Sequence, residues 1–271
     1  MRRTKLRTLS LPLPRSAWPI LMRTTRVYVD FALESDRELA LPAAPSAHLL
    51  RVLRLRPGAA LTVFNGRGGE YAAELLAAGQ GRATVRIGAH GAVERESPLR
   101  ITLLQGIARG ERMDLIVQKA TELGVTAIVP LCCEFSVVRL GSEARARRQE
   151  RWQAVAISAC EQCGRNRPPR VHEISELEPA CAAPGAADAE LRVMLVPGSD
   201  QALASLATPG LRRAALLIGP EGGLSEREEL LARRAGFKAC ALGPRILRTE
   251  TAPLAALVAL QALAGDLGAA P

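Results

Sequence analysis

The sequence predicts an α/β protein in two parts, a small β-rich unit at residues 22–97 and a larger α/β domain at residues 98–271. In the first part, short apolar runs alternate with glycine turns, which is typical of hairpins. In the second part, strand-like runs alternate with helical patterns, which indicates a parallel sheet covered by helices on both faces. The chain has 271 residues, of which 48% are hydrophobic, and this is enough to build a core in each part.

Strand-like runs in the β-rich unit lie at 26–29, 61–64, 70–75 and 83–87. Glycines separate the last three runs, a spacing that predicts a meander or a small barrel. Residues 48–56 are expected to form a helix that Pro57-Gly58 ends. Such a helix would place Arg51 and Arg54 near one another, either as a solvated basic face or as a contact for RNA.

The larger domain contains five strand-like runs and four helical patterns. The strands are expected at 101–107, 125–129, 192–196, 214–218 and 237–242, and the helices at 113–123, 143–163, 226–235 and 253–264. Gly124, Gly164 and Gly236 follow three of these helices, where glycine commonly ends a helix. Ser225 and Glu228 have the spacing of a capping box and predict the start of the third helix.

The net charge of the chain bears on which binding partners are compatible with the sequence. The formal net charge is +9, but five basic and no acidic residues lie in 1–21, so the net charge from Met22 onward is +4. Most of the positive charge is arginine, which suits paired hydrogen bonds to phosphate, although a GC-rich genome would produce the same bias. The charge therefore permits a nucleic-acid partner without requiring one.

Residues 1–21 are basic, and their prolines interrupt any apolar stretch of a secretory signal. We expect a disordered leader, with Met22 as the working start of translation. No uncharged, proline-free apolar run approaches the roughly eighteen residues that a transmembrane helix needs, so a membrane partner is not expected. The six cysteines lie in ordinary apolar contexts, which indicates reduced thiols and a cytoplasmic protein.

Two elaborate loops follow predicted parallel strands, where ligands of open α/β sheets bind. The first is Ile218-Gly219-Pro220-Glu221-Gly222-Gly223, whose glycines allow close backbone approach to a ligand before a capped helix. The second runs from Leu242 to Ala252 and combines arginines, a glutamate and threonines with apolar side chains. That mixture suits a ligand with an apolar ring and polar ends. An ornate turn plus a helix cap at Thr251 is the alternative for either loop alone, and the presence of two such loops at adjacent strand ends favours a ligand site.

Several common sites are excluded. The sequence has no P-loop, no H-E-x-x-H and no G-x-S-x-G motif, and its three histidines are far apart. Cys160 and Cys163 form a C-x-x-C without a second pair at zinc spacing, so we expect thiols and no metal.

Four motifs in order resemble the signature of the RsmE-type methyltransferases, which methylate N3 of a uridine in 16S ribosomal RNA and belong to the SPOUT class. They are the two loops above, the segment from Arg109-Gly110-Glu111-Arg112 to Gly124, and Glu161-Gln162-Cys163-Gly164-Arg165-Asn166-Arg167-Pro168. The resemblance covers Met22 to about Gly268. Pro168 and Pro169 depart from the family pattern and stiffen the loop after Arg167.

The resemblance implies a PUA-like small β-barrel domain at 22–97 and a SPOUT α/β domain with a C-terminal trefoil knot at 98–271. It also implies S-adenosylmethionine (AdoMet) as the methyl donor, 16S rRNA in the small ribosomal subunit as the substrate, and a homodimer that completes each active site. The implied cofactor residues are Leu217, Ile218, Gly219, Pro220, Glu221, Gly222, Gly223, Leu242, Gly243, Ile246, Leu247, Thr251 and Ala252.

Candidate catalytic groups follow from the chemistry of uracil N3, which must lose a proton to become nucleophilic. Arginines near O2 or O4 would stabilise the anion, so Arg109, Arg112, Arg165 and Arg248 are expected to divide between base activation and phosphate binding. Glu161 or Glu250 is expected to accept the proton unless each is a structural partner of an arginine. The RNA-binding candidates are Arg26, Arg51, Arg54 and Arg167.

Two alternatives stay open. The chain could be an RNA-binding ribosome assembly factor without active chemistry, in which case its glycine loops would be structural turns. It could also be a SPOUT methyltransferase that acts on tRNA or on a ribose hydroxyl.

Overall fold

The computed structural model describes residues 24–79, 81–136 and 141–268, so the expected leader at 1–21 lies outside the described residues. The first part, called here the β unit, is a mixed five-stranded sheet in the order β1-β3-β4-β5-β2. Its elements are β1 (Thr25–Tyr28), β2 (Glu38–Ala40), α1 (Ala43–Ala47), β3 (Ala60–Phe64), β4 (Glu70–Gly79) and β5 (Arg82–Gly91). Strands β1 and β3 are parallel, and the other pairs are antiparallel.

The helical segment expected over 48–56 both begins and ends earlier, at residues 43 and 52. Helix α1 continues as a π-helical turn over His48–Val52, anchored by the fully buried Leu49. Arg54 has a φ of 52°, in the left-handed region, so the chain has left the helix before this residue. The prediction that one helix carries both Arg51 and Arg54 is therefore wrong, although both side chains are exposed.

The second part, called here the α/β unit, is a six-stranded parallel sheet in the order β11-β9-β10-β6-β7-β8. Its strands are β6 (Arg100–Gly106), β7 (Ala127–Leu131), β8 (Arg170–Val171), β9 (Leu191–Leu195), β10 (Arg213–Ile218) and β11 (Lys238–Cys240). Its helices are α2 (Arg112–Glu122), α3 (Ser142–Cys163), α4 (Leu177–Ala182), α5 (Leu203–Leu206), α6 (Glu226–Arg234) and α7 (Thr251–Ala264).

Both faces of this sheet are buried, as the sequence predicts. Successive residues of a strand point to opposite faces. Accordingly Leu103 and Leu216 enter one core beneath α2, α3, α5 and α7, whereas Leu104 and Leu217 enter a second core beneath α4 and α6. The β unit has a separate apolar core of its own.

Strand β7 begins two residues later than the pattern indicates. Gly124 has a φ of 83°, and the Val125 N–H still bonds to the Ala120 carbonyl at 3.0 Å. The Val125 N–H therefore satisfies a carbonyl at the end of α2 and does not begin the strand, although valine favours strands. The capping box is confirmed, because Ser225 Oγ accepts from the Glu228 N–H and the Glu228 carboxylate accepts from the Ser225 N–H.

Candidate active site

A cavity of about 670 Å³ lies at the carboxyl ends of β9, β10 and β11. These strands are neighbours in the sheet, so the loops that follow them converge on one edge. The loop after β10 (residues 219–224), called here the glycine loop, forms one wall. The loop after β11 (residues 241–250), called here the C-terminal loop, forms another.

The glycine loop is folded tightly on itself. The Gly223 N–H donates to the Pro220 carbonyl at 2.9 Å, and Gly223 has a φ of 76°. A Cβ added at Gly219 would lie 2.8 Å from the Gly223 carbonyl carbon, closer than non-bonded atoms allow. Glycine is therefore required at Gly219 for this loop to close, and the backbone itself forms the wall of the cavity.

The C-terminal loop is joined to the glycine loop by a buried threonine. The Thr249 hydroxyl donates to the Gly219 carbonyl at 3.1 Å. Beside it, the amide of the fully buried Gln105, at the end of β6, donates to the Gly106 carbonyl at 3.0 Å. The Thr249 bond therefore holds the C-terminal loop against the residue that follows β10.

Charged groups of opposite sign lie at the mouth of the cavity. The Glu221 carboxylate accepts from the Arg109 backbone N–H and from Arg112 Nη1, both at 2.9 Å. Burial opposes the charge of Glu221, but these donors and its own backbone N–H outweigh it, so its pKa lies below the usual value of 4.5. Arg112 Nε also lies 3.9 Å from Glu250 Oε2, a buried oxygen that has no hydrogen-bond partner among the described residues.

Of the thirteen residues that the resemblance assigns to the cofactor, eleven line this cavity. Leu217 instead faces the core beneath α4 and α6, and Thr251 is the first residue of α7. A third segment that was not predicted from the sequence also lines the cavity: Leu195, the last residue of β9, with Val196 and Pro197 after it. The Pro197-Gly198 turn after a predicted strand was a signal, but only the strand order reveals that β9 lies between β10 and β11.

Two arginines of the C-terminal loop are exposed at the cavity. Arg245 and Arg248 both line it, and neither side chain forms an ion pair or a hydrogen bond within the described residues. Arg248 is a sequence-predicted site residue, whereas Arg245 is not. Free guanidinium groups at a cavity mouth are suited to bind phosphate or to stabilise a developing anion.

The structure places Arg165 away from the cavity, between the two units. Arg165 is 4% exposed, and its guanidinium lies 2.5 Å from Glu96, which is in the segment that connects the units. Its Nη1 donates to the Thr121 and Val125 carbonyls, at 2.7 and 2.9 Å. Burial opposes its charge, but the pairing with Glu96 outweighs burial and raises its pKa. Arg165 therefore holds the end of α2 against the connecting segment.

Two further candidates take part in the same contact. Arg26, on β1, bonds to Glu70 at 2.5 Å and to the Asn166 side-chain oxygen at 2.5 Å, and it lies over the Phe64 ring. Glu161, on α3, accepts from the Tyr28 N–H at 3.0 Å, and burial raises its pKa. Neither residue lines the cavity.

The remaining RNA-binding candidates are on the surface. Arg167 pairs with Glu94 at 3.1 Å and is half-exposed. Arg51 and Arg54 are exposed, with the apolar Val52 and Leu53 exposed between them. Among the described residues, no group of three or more His, Cys, Asp or Glu could hold a metal ion. Within that same part of the chain, no helix has the length and apolarity needed to cross a bilayer.

The chain is similar to known RNA-modifying proteins along nearly its whole length. Residues 95–261 match the model of an RNA methyltransferase domain, and residues 46–88 match that of an RNA methyltransferase PUA domain. The ribosomal RNA small subunit methyltransferase E of Buchnera aphidicola (subsp. Schizaphis graminum) is 32% identical over 245 residues, which cover 90% of this chain and 98% of that protein.

Two solved structures have the same fold. A putative methyltransferase from Legionella pneumophila in complex with the bound cofactor SAM is 39% identical, with a TM-score of 0.85 over 90% of this chain and 99% of that one. A ribosomal RNA small subunit methyltransferase E from Neisseria gonorrhoeae, bound to S-adenosyl methionine, is 41% identical, with a TM-score of 0.81 and the same coverage. The identity and the coverage together show that this chain belongs to the ribosomal RNA small subunit methyltransferase E family.

Proposed function

We propose that this protein transfers a methyl group from AdoMet to N3 of a uridine in 16S rRNA within the small ribosomal subunit. The observation that carries the proposal is the cavity at the ends of β9, β10 and β11, built from the two loops that resemble the family signature. Structural relatives with the same fold are bound to this cofactor.

The cavity fits AdoMet in size and chemistry. Its volume of about 670 Å³ lies within the range of sites for small molecules and cofactors. Apolar side chains of Leu195, Leu242 and Leu247 suit an adenine ring, and the glycine backbone of the loop allows the polar edge of that ring to approach closely. We therefore assign the glycine loop and the C-terminal loop to the cofactor.

Bound AdoMet would supply an electrophilic sulfonium methyl group, so the task of the protein is chiefly to position the base. We assign Arg112 and Arg248, at the cavity mouth, to stabilising negative charge on uracil O2 or O4. Glu250 is assigned to accept the N3 proton, because its buried Oε2 has no hydrogen-bond partner among the described residues. Arg109, which is exposed beside Glu221, is assigned to the RNA backbone.

Glu161 and Arg165 are not assigned to the chemistry of this proposal. Their polar atoms bond within the contact between the two units, at Tyr28 and Glu96 respectively. Arg26 is likewise not assigned to RNA binding, because its guanidinium is bonded to Glu70 and Asn166. Arg51 and Arg54 of the β unit and Arg167, in the loop after α3, remain the RNA-binding candidates because they are exposed.

A trefoil knot and a homodimer are part of the proposal. The knot is supported by the path of the C-terminal loop, whose Thr249 is buried against the Gly219 carbonyl. The dimer is supported by large exposed apolar side chains on the paired helices α2 and α7, which are Leu115, Val258 and Leu263. We further propose that the domains meet at residues 97 and 98, and that the enzyme acts in the cytoplasm, where the small subunit is assembled.

A direct assay would incubate the full chain and AdoMet with small ribosomal subunits from a strain that lacks this modification. Nucleosides from the digested RNA would be separated and identified by mass spectrometry, and naked 16S RNA would be treated in parallel. We expect 3-methyluridine, with a stronger signal from subunits than from naked RNA.

Other results would favour the alternatives. AdoMet binding without a methylated nucleoside in 16S RNA would favour a tRNA target, and a 2′-O-methylated nucleoside would favour a ribose hydroxyl. If the chain neither binds AdoMet nor forms product, an RNA-binding assembly factor would explain it better.

A further inference from the structure

Phe135 has an unusual environment for an aromatic residue of this chain. Of the aromatic side chains in the described ranges, Phe135 alone is exposed, at 48% of its surface. Single exposed apolar residues are common in proteins and need no function. Phe135 differs from such residues because it lies next to the proposed active site.

The Phe135 side chain packs against the wall of the cofactor cavity. A Cβ added at Gly222 would lie 2.8 Å from the Phe135 Cβ, and 3.5 Å from both its Cγ and its backbone oxygen, so the base of the Phe135 side chain lies against the glycine loop. Gly222 lines the cavity, and its neighbour Glu221 holds Arg112 at 2.9 Å. The Phe135 side chain and the Arg112 guanidinium therefore lie beside adjacent residues of the same loop, Gly222 and Glu221.

The backbone that carries Phe135 is fixed on both sides. The Ser136 N–H donates to the Cys133 carbonyl at 2.9 Å, and the Cys133 N–H donates to Ser136 Oγ at 3.0 Å, which closes a tight turn. The Glu134 N–H donates to the Glu228 carboxylate at 2.9 Å. Because Glu228 also caps α6, the turn is attached to the helix that follows the glycine loop.

We propose that Phe135 is a substrate-binding residue on which the target base stacks when the base is brought to the cavity mouth. A pyrimidine has apolar faces and polar edges, and proteins bind unpaired bases by stacking aromatic side chains on the faces and placing donors at the edges. Phe135 supplies the face, and Arg112 supplies donors at the edge. This inference rests on the proposed function, because it concerns the base that receives the methyl group.

The test compares Phe135→Leu and Phe135→Tyr with the wild-type protein in the small-subunit assay at saturating AdoMet. Leucine keeps an apolar side chain but removes the ring, so we expect kcat/KM for subunits to fall roughly 5- to 150-fold. Tyrosine restores the ring and is expected to recover activity to within about threefold of wild type. Leu230→Ala is the control. It shortens an exposed apolar side chain on α6, away from Phe135 in the sequence, and should leave kcat/KM for subunits unchanged.

The affinity for AdoMet, measured by calorimetry, separates stacking from a structural role. We expect the same Kd for wild type and Phe135→Leu, because stacking concerns the base alone. The stacking proposal is wrong if Phe135→Leu methylates subunits as fast as wild type, if it loses AdoMet affinity in parallel, or if Phe135→Tyr is no better. A wild-type protein that binds AdoMet but forms no 3-methyluridine would overturn the proposed function and the stacking proposal together.

Discussion

Two arginines from the family motifs, Arg165 and Arg248, have different environments although the sequence gives them equal weight. Arg165 is 4% exposed, and its donors are bonded to Glu96 and to two backbone carbonyls. Arg248 is exposed at the cavity and bonds no partner in the described part of the chain. A guanidinium group must be free to bind a ligand, so the local environment, rather than the motif, identifies Arg248 as the better candidate for the chemistry.

Replacing Arg248 with alanine should slow methylation more than it weakens cofactor binding. The guanidinium is proposed to act on charge that develops in the transition state, so its loss should lower kcat by roughly 10- to 1,000-fold. AdoMet affinity, measured by calorimetry, should change by less than about threefold if the cavity walls stay intact. Arg234→Ala, an exposed arginine at the end of α6, is the matched control. Unchanged methylation in a folded Arg248→Ala protein would contradict the assignment.

Most helices and strands could be predicted because their ends carry local signals. Gly164 and Gly236 have φ values of 91° and 85° after α3 and α6, where glycine is favoured. The helix expected over 48–56 fails at 53–56 for a different reason: the chain turns at the left-handed Arg54 after a π-helical turn whose Leu49 is buried in the core of the β unit. Such tertiary effects override local propensity and leave no pattern in the sequence.

The capping box at the start of α6 also supports the turn that carries Phe135. Replacing Ser225 with alanine removes the side-chain acceptor of the Glu228 N–H and should lower the free energy of unfolding by about 1 kcal/mol. Ser225→Asp keeps an acceptor at the N-cap and should restore most of this loss. Urea denaturation of the two variants and wild type measures the difference. Equal loss in both variants would indicate that packing of the buried Ser225, rather than capping, stabilises the helix.

The tight closure of the glycine loop makes Gly219 a test of the proposed cofactor site. An alanine Cβ at position 219 would press on the Gly223 backbone at 2.8 Å, so the loop must open and the cavity wall must move. We expect Gly219→Ala to weaken AdoMet binding at least about tenfold, equivalent to roughly 1.4 kcal/mol. Gly79→Ala is the control, because a Cβ at Gly79 meets nothing within 4 Å. Calorimetry should show wild-type affinity for the control, and wild-type affinity for Gly219→Ala would contradict the assignment of this loop.

At the scale of the whole molecule, the sequence could not predict which residues join the two units. From the sequence, Arg26, Glu161 and Arg165 are expected to serve RNA binding or catalysis, because their positions match motifs or their charge suits phosphate. In the structure these residues connect β1, α3 and the end of α2 across the contact between the units. Their partners are distant in the chain, so only the folded arrangement reveals this use of their charge.

Breaking the buried pair of Arg165 with Glu96 should destabilise the contact between the units. Arg165→Met leaves the Thr121 and Val125 carbonyls without this donor and Glu96 without its partner, so the free energy of unfolding should fall by about 3 kcal/mol. Adding Glu96→Gln removes the uncompensated charge. The free energy of unfolding should therefore fall less in the double variant than the sum of its losses in the single variants Arg165→Met and Glu96→Gln.

Arg213→Met is the matched control for this cycle, because it breaks the half-exposed pair with Glu190 and should cost less than about 1 kcal/mol. Urea denaturation of all four variants measures these differences, and the methylation assay at a temperature where each variant is folded separates stability from chemistry. A stable Arg165→Met protein that no longer methylates subunits would instead place the Arg165 guanidinium in the reaction. A destabilised protein that keeps its kcat would establish that this motif arginine serves the architecture that holds the β unit beside the active site.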